Sequence, residues 1–273
     1  MKKVVSYLII ASLVIGIGAC KKRKLNKQTT STEDNNRADA YFTDVFNVTS
    51  SEVTNAENEQ LQKGVDIVPK ALLSVDTCAD VTYTFSDDST YLDTVIIDFG
   101  TNNSCEVNGR VRRGKLNIYL TGKFRQAGTV TTIVPEDFYI DDYQVEGQKV
   151  ITNIGLTPEL YWQYTVSVTD AKITAPNGDT FTWESQRTNE WRILQGEFGM
   201  TGSASGVNRN GRAFDILITD ELVAKTGCKW IVSGTFELTP EDLATRYVDY
   251  GDGACDNKAT VTINDNEYEV NMN

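Results

Sequence analysis

From about Leu72 onward, apolar and polar residues alternate with a period of two. Val81, Tyr83 and Phe85 interleave with Thr82 and Thr84, while Leu116, Ile118 and Leu120 interleave with Asn117 and Tyr119. Tyr164, Val166 and Val168 interleave with Thr165 and Ser167, and the rhythm returns at Phe236 and Leu238 and at Val261 and Ile263. Successive side chains of a strand point to opposite faces, so this alternation predicts strands with one buried face, the mark of antiparallel sheets. Turn signals separate the runs at Ala127-Gly128, Glu146-Gly147, Asn177-Gly178, Asn210-Gly211 and Asn264-Asp265. Asn-Gly is strong among these because both central residues of a tight hairpin turn need positive φ. The pattern predicts an all-β antiparallel meander of ten or more strands. It forms either a β-sandwich or one long curved sheet.

Ahead of the strands the period changes. In ADAYFTDVFNVTSSEV, residues Phe42, Val45, Phe46 and Val53 share one face of a helix. A short N-terminal helix is expected there, covering part of the core or docking a partner. Residues 28–37, QTTSTEDNNR, show no apolar period and read as a flexible linker.

The chain opens MKKVVSYLIIASLVIGIGACKKRK. Two lysines, an apolar run shorter than the roughly 20 residues a spanning helix needs, and a small-residue exit make an export signal. Ile17-Gly18-Ala19-Cys20 resembles the bacterial lipobox. That resemblance implies cleavage before Cys20, lipid attachment to its thiol, and an envelope lipoprotein held by its acyl chains. The expected organisation is a signal peptide over 1–19, a lipidated basic tether over 20–37, and a single β-rich domain over 38–273. Lys21 follows the cysteine where enteric inner-membrane lipoproteins carry aspartate, which points to the outer membrane. No acidic cluster follows it, which favours the periplasmic face over the cell surface.

Charge sharpens the division between tether and body. Of 26 basic residues, Lys2 and Lys3 leave with the signal and five (Lys21, Lys22, Arg23, Lys24 and Lys27) lie at the root of the tether, so 19 face 38 acidic residues from Gln28 onward. The root is attracted to anionic lipid and the body is repelled by it. A nucleic-acid partner is disfavoured, because the body lacks a basic stripe.

One short phrase is written twice, as DFGTNNSC at 98–105 and DYGDGAC at 249–255. Cys78 precedes Cys105 by 27 residues, and Cys228 precedes Cys255 by 27. Val81 and Ile231, and Val111 and Val261, keep matching offsets from their cysteines, and a Thr-Phe pair closes each strand at 84–85 and 235–236. The pattern is a duplicated strand, strand, loop and hairpin unit, over about 78–122 and 228–273. Four cysteines permit three pairings. Equal spacing selects Cys78 with Cys105 and Cys228 with Cys255, in an oxidising compartment where such bonds persist. The same spacing is compatible with four thiolates on one metal, although the short Cys-x-x-Cys arms of a zinc site are missing. The run from DFG to GRVRRGK, with the later GSASGVNRNGR and DYGDGACDN, resembles a broad set of envelope lipoproteins of the Bacteroidota. The resemblance implies an envelope setting and carries no activity with it.

Histidine is absent. This removes Ser-His-Asp and Cys-His catalysis and the usual neutral-pH general base. Asp98-Phe99-Gly100 spells a kinase magnesium triplet without the loops that go with it, and GSASG at 202–206 places alanine where a nucleophile elbow needs serine. Asp249, Asp252 and Asp256 form the densest oxygen cluster and are the candidate site for calcium, the only cofactor the sequence raises. Trp162, Trp183, Trp191 and Trp230, with Tyr161 and Tyr164, lie in or near strands and are candidates for a ring surface that meets a ligand. The sequence therefore leads to a membrane-anchored, non-enzymatic binding or scaffolding module for a glycan, a lipid or an envelope protein. The alternative is a His-independent hydrolase of glycoside-hydrolase type using paired carboxylates.

Overall fold

The computed structural model describes residues 29–62, 78–87, 91–107, 109–228 and 230–271. The export signal and Cys20 lie outside the described residues. Helix α1 spans Thr30–Gln62, and strands β1 (Asp80–Phe85), β2 (Leu92–Asp98), β3 (Cys105–Val107) and β4 (Arg110–Leu120) follow it. The central strands are the long ones: β5 (Val130–Ile140), β6 (Tyr143–Leu156), β7 (Trp162–Thr174), β8 (Thr180–Arg192), β9 (Glu197–Val207) and β10 (Ala213–Lys225). Strands β11 (Ile231–Pro240), β12 (Arg246–Asp252), β13 (Lys258–Ile263) and β14 (Asn266–Asn271) close the chain.

All fourteen strands belong to one antiparallel sheet in sequence order, with the short β3 set against β4 beside the main path. Of the two architectures the alternation allowed, the chain adopts the single long sheet. One face is buried and the other is polar, as along β8, where Phe181, Trp183, Ser185 and Arg187 are buried and their neighbours are exposed. The buried face forms one core with α1 that reaches from Leu92 on β2 to Ile263 on β13. The sheet curls around α1, since buried residues from β2 through β13 join the helix in one core.

Helix α1 is longer than the short element expected. Its buried positions run Ser31, Asp34, Asn35, Ala38, Tyr41, Phe42, Val45, Val48, Thr49, Glu52, Val53 and Ala56, a helical period throughout. Residues 30–37, expected as linker, are its first two turns. The face there is continued by polar residues that each find a partner. Ser31 Oγ accepts from Asn208 Nδ2 (2.8 Å), Asp34 Oδ2 from the Arg209 backbone N–H (2.9 Å), and Asn35 Oδ1 from Trp183 Nε1 (2.9 Å). Thr29 Oγ1 donates to Glu33 Oε1 (2.5 Å), and Glu33 places negative charge in the first turn, where the helix dipole favours it. The helix crosses the sheet diagonally, from the β9–β10 turn to the β4–β5 loop, where Glu57 accepts from the Phe124 backbone N–H (2.8 Å).

Buried charge clasps the middle of the helix. Asp44 takes a two-pronged bond from Arg112 on β4 (2.9 and 2.7 Å), and Asp39 accepts from Arg187 on β8 (2.7 Å). Lys149 on β6 donates to the Phe42 carbonyl (2.7 Å), and burial depresses its pKa to about 7. Phe42 stacks on Trp183, ring centroids 5.7 Å apart.

One expected turn is a strand interior. Glu146-Gly147 is a bulge within β6, opposite the Val168–Ala171 bulge of β7. A Cβ at Gly147 would stand 2.7 Å from Ala171 Cα, so glycine serves close backbone approach there. Likewise GSASG at 202–206 lies inside β9. Asn177-Gly178, Asn210-Gly211 and Asn264-Asp265 do connect paired strands.

Candidate functional site: an exposed apolar corner

The duplicated phrase is a structural joint. Asp98 Oδ1 accepts from the Gly100 backbone N–H (2.9 Å) and Asp249 Oδ1 from that of Gly251 (2.7 Å). The two glycines hold φ of +80° and +86°, which a side chain would resist. Phe99 is buried, and Tyr250 packs partly against the same core. Cys78 is bonded to Cys105 and Cys228 to Cys255, with Cα atoms 5.3 and 5.8 Å apart. Each bond ties the lead-in of one strand to the loop beyond its neighbour. The copies diverge after the second cysteine. The first runs straight on as β4, with an irregularity at Gly114, and the second turns back at Asn264-Asp265.

The aspartates nominated for calcium serve that joint. Asp249 caps the Gly251 turn, Asp256 Oδ1 accepts from the Lys258 backbone N–H (3.0 Å), and Asp252 ends β12 opposite Ser233. Among the described residues, no three acidic or cysteine side chains converge on a point where a metal ion would sit.

The four tryptophans separate. Trp183 is 1% exposed and belongs to the core beneath α1. Trp230 is half-buried just before β11. Trp162 and Trp191 face each other across β7 and β8, and the row continues to Leu156 on β6 and Phe198 on β9. This row lies on the core side of the sheet, two residues beyond Tyr164 and Asn189, where α1 no longer covers it. Leu156 is 53% exposed and Trp191 39%.

Two turns complete a corner. Leu160, in the β6–β7 turn, is 66% exposed, and Ile193 and Leu194, in the β8–β9 turn, are 51% and 91% exposed. Ile154, at the irregularity beside Asn153, adds exposed apolar surface on the opposite face. Six of the eleven large apolar residues exposed among those described thus cluster here. The turns brace each other, since Gln195 Nε2 donates to the Tyr161 hydroxyl (3.4 Å) and the Arg192 guanidinium lies 5.5 Å from the Tyr161 ring. Leu160 holds φ of +66°, a left-handed conformation that costs a non-glycine residue about 1 kcal/mol or more.

Behind the corner, Arg192 gathers Glu190 (3.2 Å), Glu221 (2.6 Å) and Glu197 (4.0 Å), and Glu221 first and Glu190 second hold its pKa above the ordinary arginine value. Asn189 Oδ1, one step inward from Trp191, is buried without a hydrogen-bond partner. The aromatic pair was among the residues nominated from sequence. Leu160, Ile193 and Leu194 were not, because turn residues stand outside the period that identifies buried faces. The signal that finds them is an apolar pair in a connection, Ile193-Leu194 before Gln195-Gly196.

A shallow hollow of about 590 Å³ on the outer face is bordered by Asp170, Glu184 and Asp215, all three exposed.

The fold and corner define a class: an all-β, disulfide-braced single-sheet domain with an exposed apolar corner. No family model matches the chain, and no curated protein or solved structure matches it.

Proposed function

We propose that the protein is a membrane-tethered, non-enzymatic binding module of the bacterial envelope, and that the corner of β6–β9 is its recognition surface. The observation that carries this reading is the corner itself. Leu156, Leu160, Trp191, Ile193 and Leu194 are exposed together, and Leu160 sits in a turn with a left-handed backbone. Contiguous exposed apolar surface on a folded domain marks a place where something else binds. The two disulfides fit an oxidising compartment, in agreement with the export signal and lipobox of the sequence.

Photocrosslinking in intact cells tests the reading. Leu194 and Tyr247, both exposed, are each replaced by p-benzoylphenylalanine, and adducts are identified by mass spectrometry. An adduct at 194 that is missing at 247 is expected, and absence of any adduct at 194 contradicts the reading.

A further inference from the structure

We infer that the occupant of the corner is a lipid surface, with Leu160, Ile193 and Leu194 entering the acyl region and Trp191, Trp162 and Tyr161 resting at headgroup level. The inference rests on the corner being the recognition surface and names what covers it. Its first support is the distribution of the apolar groups. A protein partner covers one face, and a flat interface would need exposed apolar residues on one side only. Here they occur on the core-side face (Leu156 and Trp191), on the opposite face (Ile154) and at both turns (Leu160, Ile193 and Leu194). A wedge with exposed apolar residues on both faces and at both turns, and with Glu159 and Gln195 as the polar residues exposed beside its tips, is suited to a medium that is apolar around it.

The second support is the order of residue types along the wedge. Aliphatic side chains stand at the tips. The aromatic residues Tyr161, Trp162 and Trp191 come next, and the Arg192, Glu190, Glu197 and Glu221 network lies behind them. Amphipathic rings between an aliphatic tip and a charged base match the layering of a bilayer interface, where tryptophan and tyrosine concentrate.

Charge narrows the kind of lipid. Glu159, Glu190, Glu197 and Glu221 surround the wedge against Arg192 and Lys225, which pairs with Glu197, and this excess of acid prefers a zwitterionic surface to an anionic one. The basic tether has the reverse preference. Reach then sets the stance. Thr29 lies nine positions beyond Cys20, a span of about 30 Å at most. Thr30 sits by the β9–β10 turn, at the far end of β9 from Leu194, and 11 residues of strand extend about 36 Å. Anchor and corner therefore reach one bilayer only with the strands inclined to it.

The test uses the full-length protein, reconstituted through its own anchor into phosphatidylcholine vesicles brominated along the acyl chains. Bromine quenches tryptophan emission on contact, and the leader and tether contain no tryptophan. The wild-type protein is expected to be quenched relative to unbrominated vesicles. Leu160→Asp/Leu194→Asp should roughly halve that quenching while floating with the vesicles and keeping its circular dichroism. Trp191→Phe should reduce it too, and Tyr247→Asp should leave it unchanged. Equal quenching in wild type and the double aspartate variant, or none in either while both float, overturns the inference. If a protein adduct still forms at position 194, the binding-module reading survives with a protein as occupant. If no adduct forms, both fall.

Discussion

Asn35 Oδ1 on α1 accepts a hydrogen bond from Trp183 Nε1 on β8 at 2.9 Å, across a side-chain interface closed to solvent. The bond joins a segment that reads as linker to the largest buried side chain of the sheet. It explains why the helix begins at Thr30, eight residues before Ala38, where the helical pattern of the sequence starts. Replacing Asn35 by leucine leaves the indole N–H buried and unsatisfied, at a cost of about 2 kcal/mol. Urea unfolding should show a lower midpoint with an unchanged slope. In the Trp183→Phe background the same substitution should cost much less, because the donor is gone.

The Asp44–Arg112 pair is a stronger clasp. Arg112 is 2% exposed, and Asp44→Ala removes the carboxylate that meets two of its nitrogens. The expected loss is about 3 kcal/mol. Replacing both residues, Asp44→Leu with Arg112→Met, should recover most of it, since desolvating two charges costs nearly as much as their attraction returns. Thermal melts of the two variants side by side measure the difference.

Lys149 gives the fold a pH dependence with a defined sign. Its folded pKa is about 7, below the ordinary lysine value of 10.5, because burial and the nearby Arg187 disfavour the ammonium while Asp39 partly offsets them. Between those values the unfolded chain binds the proton and the folded chain does not. Stability therefore falls as pH drops from 10.5 toward 7 and levels off below that. Lys149→Met removes this dependence and should be the more stable protein at pH 7, by roughly 4 kcal/mol at the upper limit. The comparison to make is the difference in melting temperature between wild type and variant at pH 7 and at pH 10, which should shrink as pH rises.

Each disulfide closes a loop with a sequence separation of 27 residues. In the chain-entropy description such a loop is worth about 3.5 kcal/mol. Cys228→Ser/Cys255→Ser and Cys78→Ser/Cys105→Ser should each lower the urea midpoint. Adding reductant should abolish the difference between each variant and the wild type's corresponding reduced form.

The sheet was legible because Val166, Val168, Ile118 and their like keep a period of two against a buried face, and because the cysteines keep equal spacing. The first turns of α1 were not, since Ser31, Asp34 and Asn35 occupy the buried face with polar atoms whose partners, Asn208, Arg209 and Trp183, are nearly 150 residues or more away. Gly147 misled for a related reason. A glycine after a charged residue reads as a turn, whereas here it makes room for β7. Within the corner, Trp162 and Trp191 could be nominated by residue type, but only the register of β7 against β8 shows that they meet and that Trp183 does not join them. Leu160 and Leu194 carry no periodic signal at all. Their significance lies in exposure and in a backbone conformation, and sequence displays neither.

The central claim is that the corner is covered in the envelope and bare on the isolated protein. Labelling of single engineered cysteines by a small charged maleimide tests this most directly, with Leu194→Cys compared to Tyr247→Cys in intact cells and after purification. The account predicts that position 194 is protected in cells and reacts as fast as position 247 once purified. Equal labelling of the two positions in cells would contradict it.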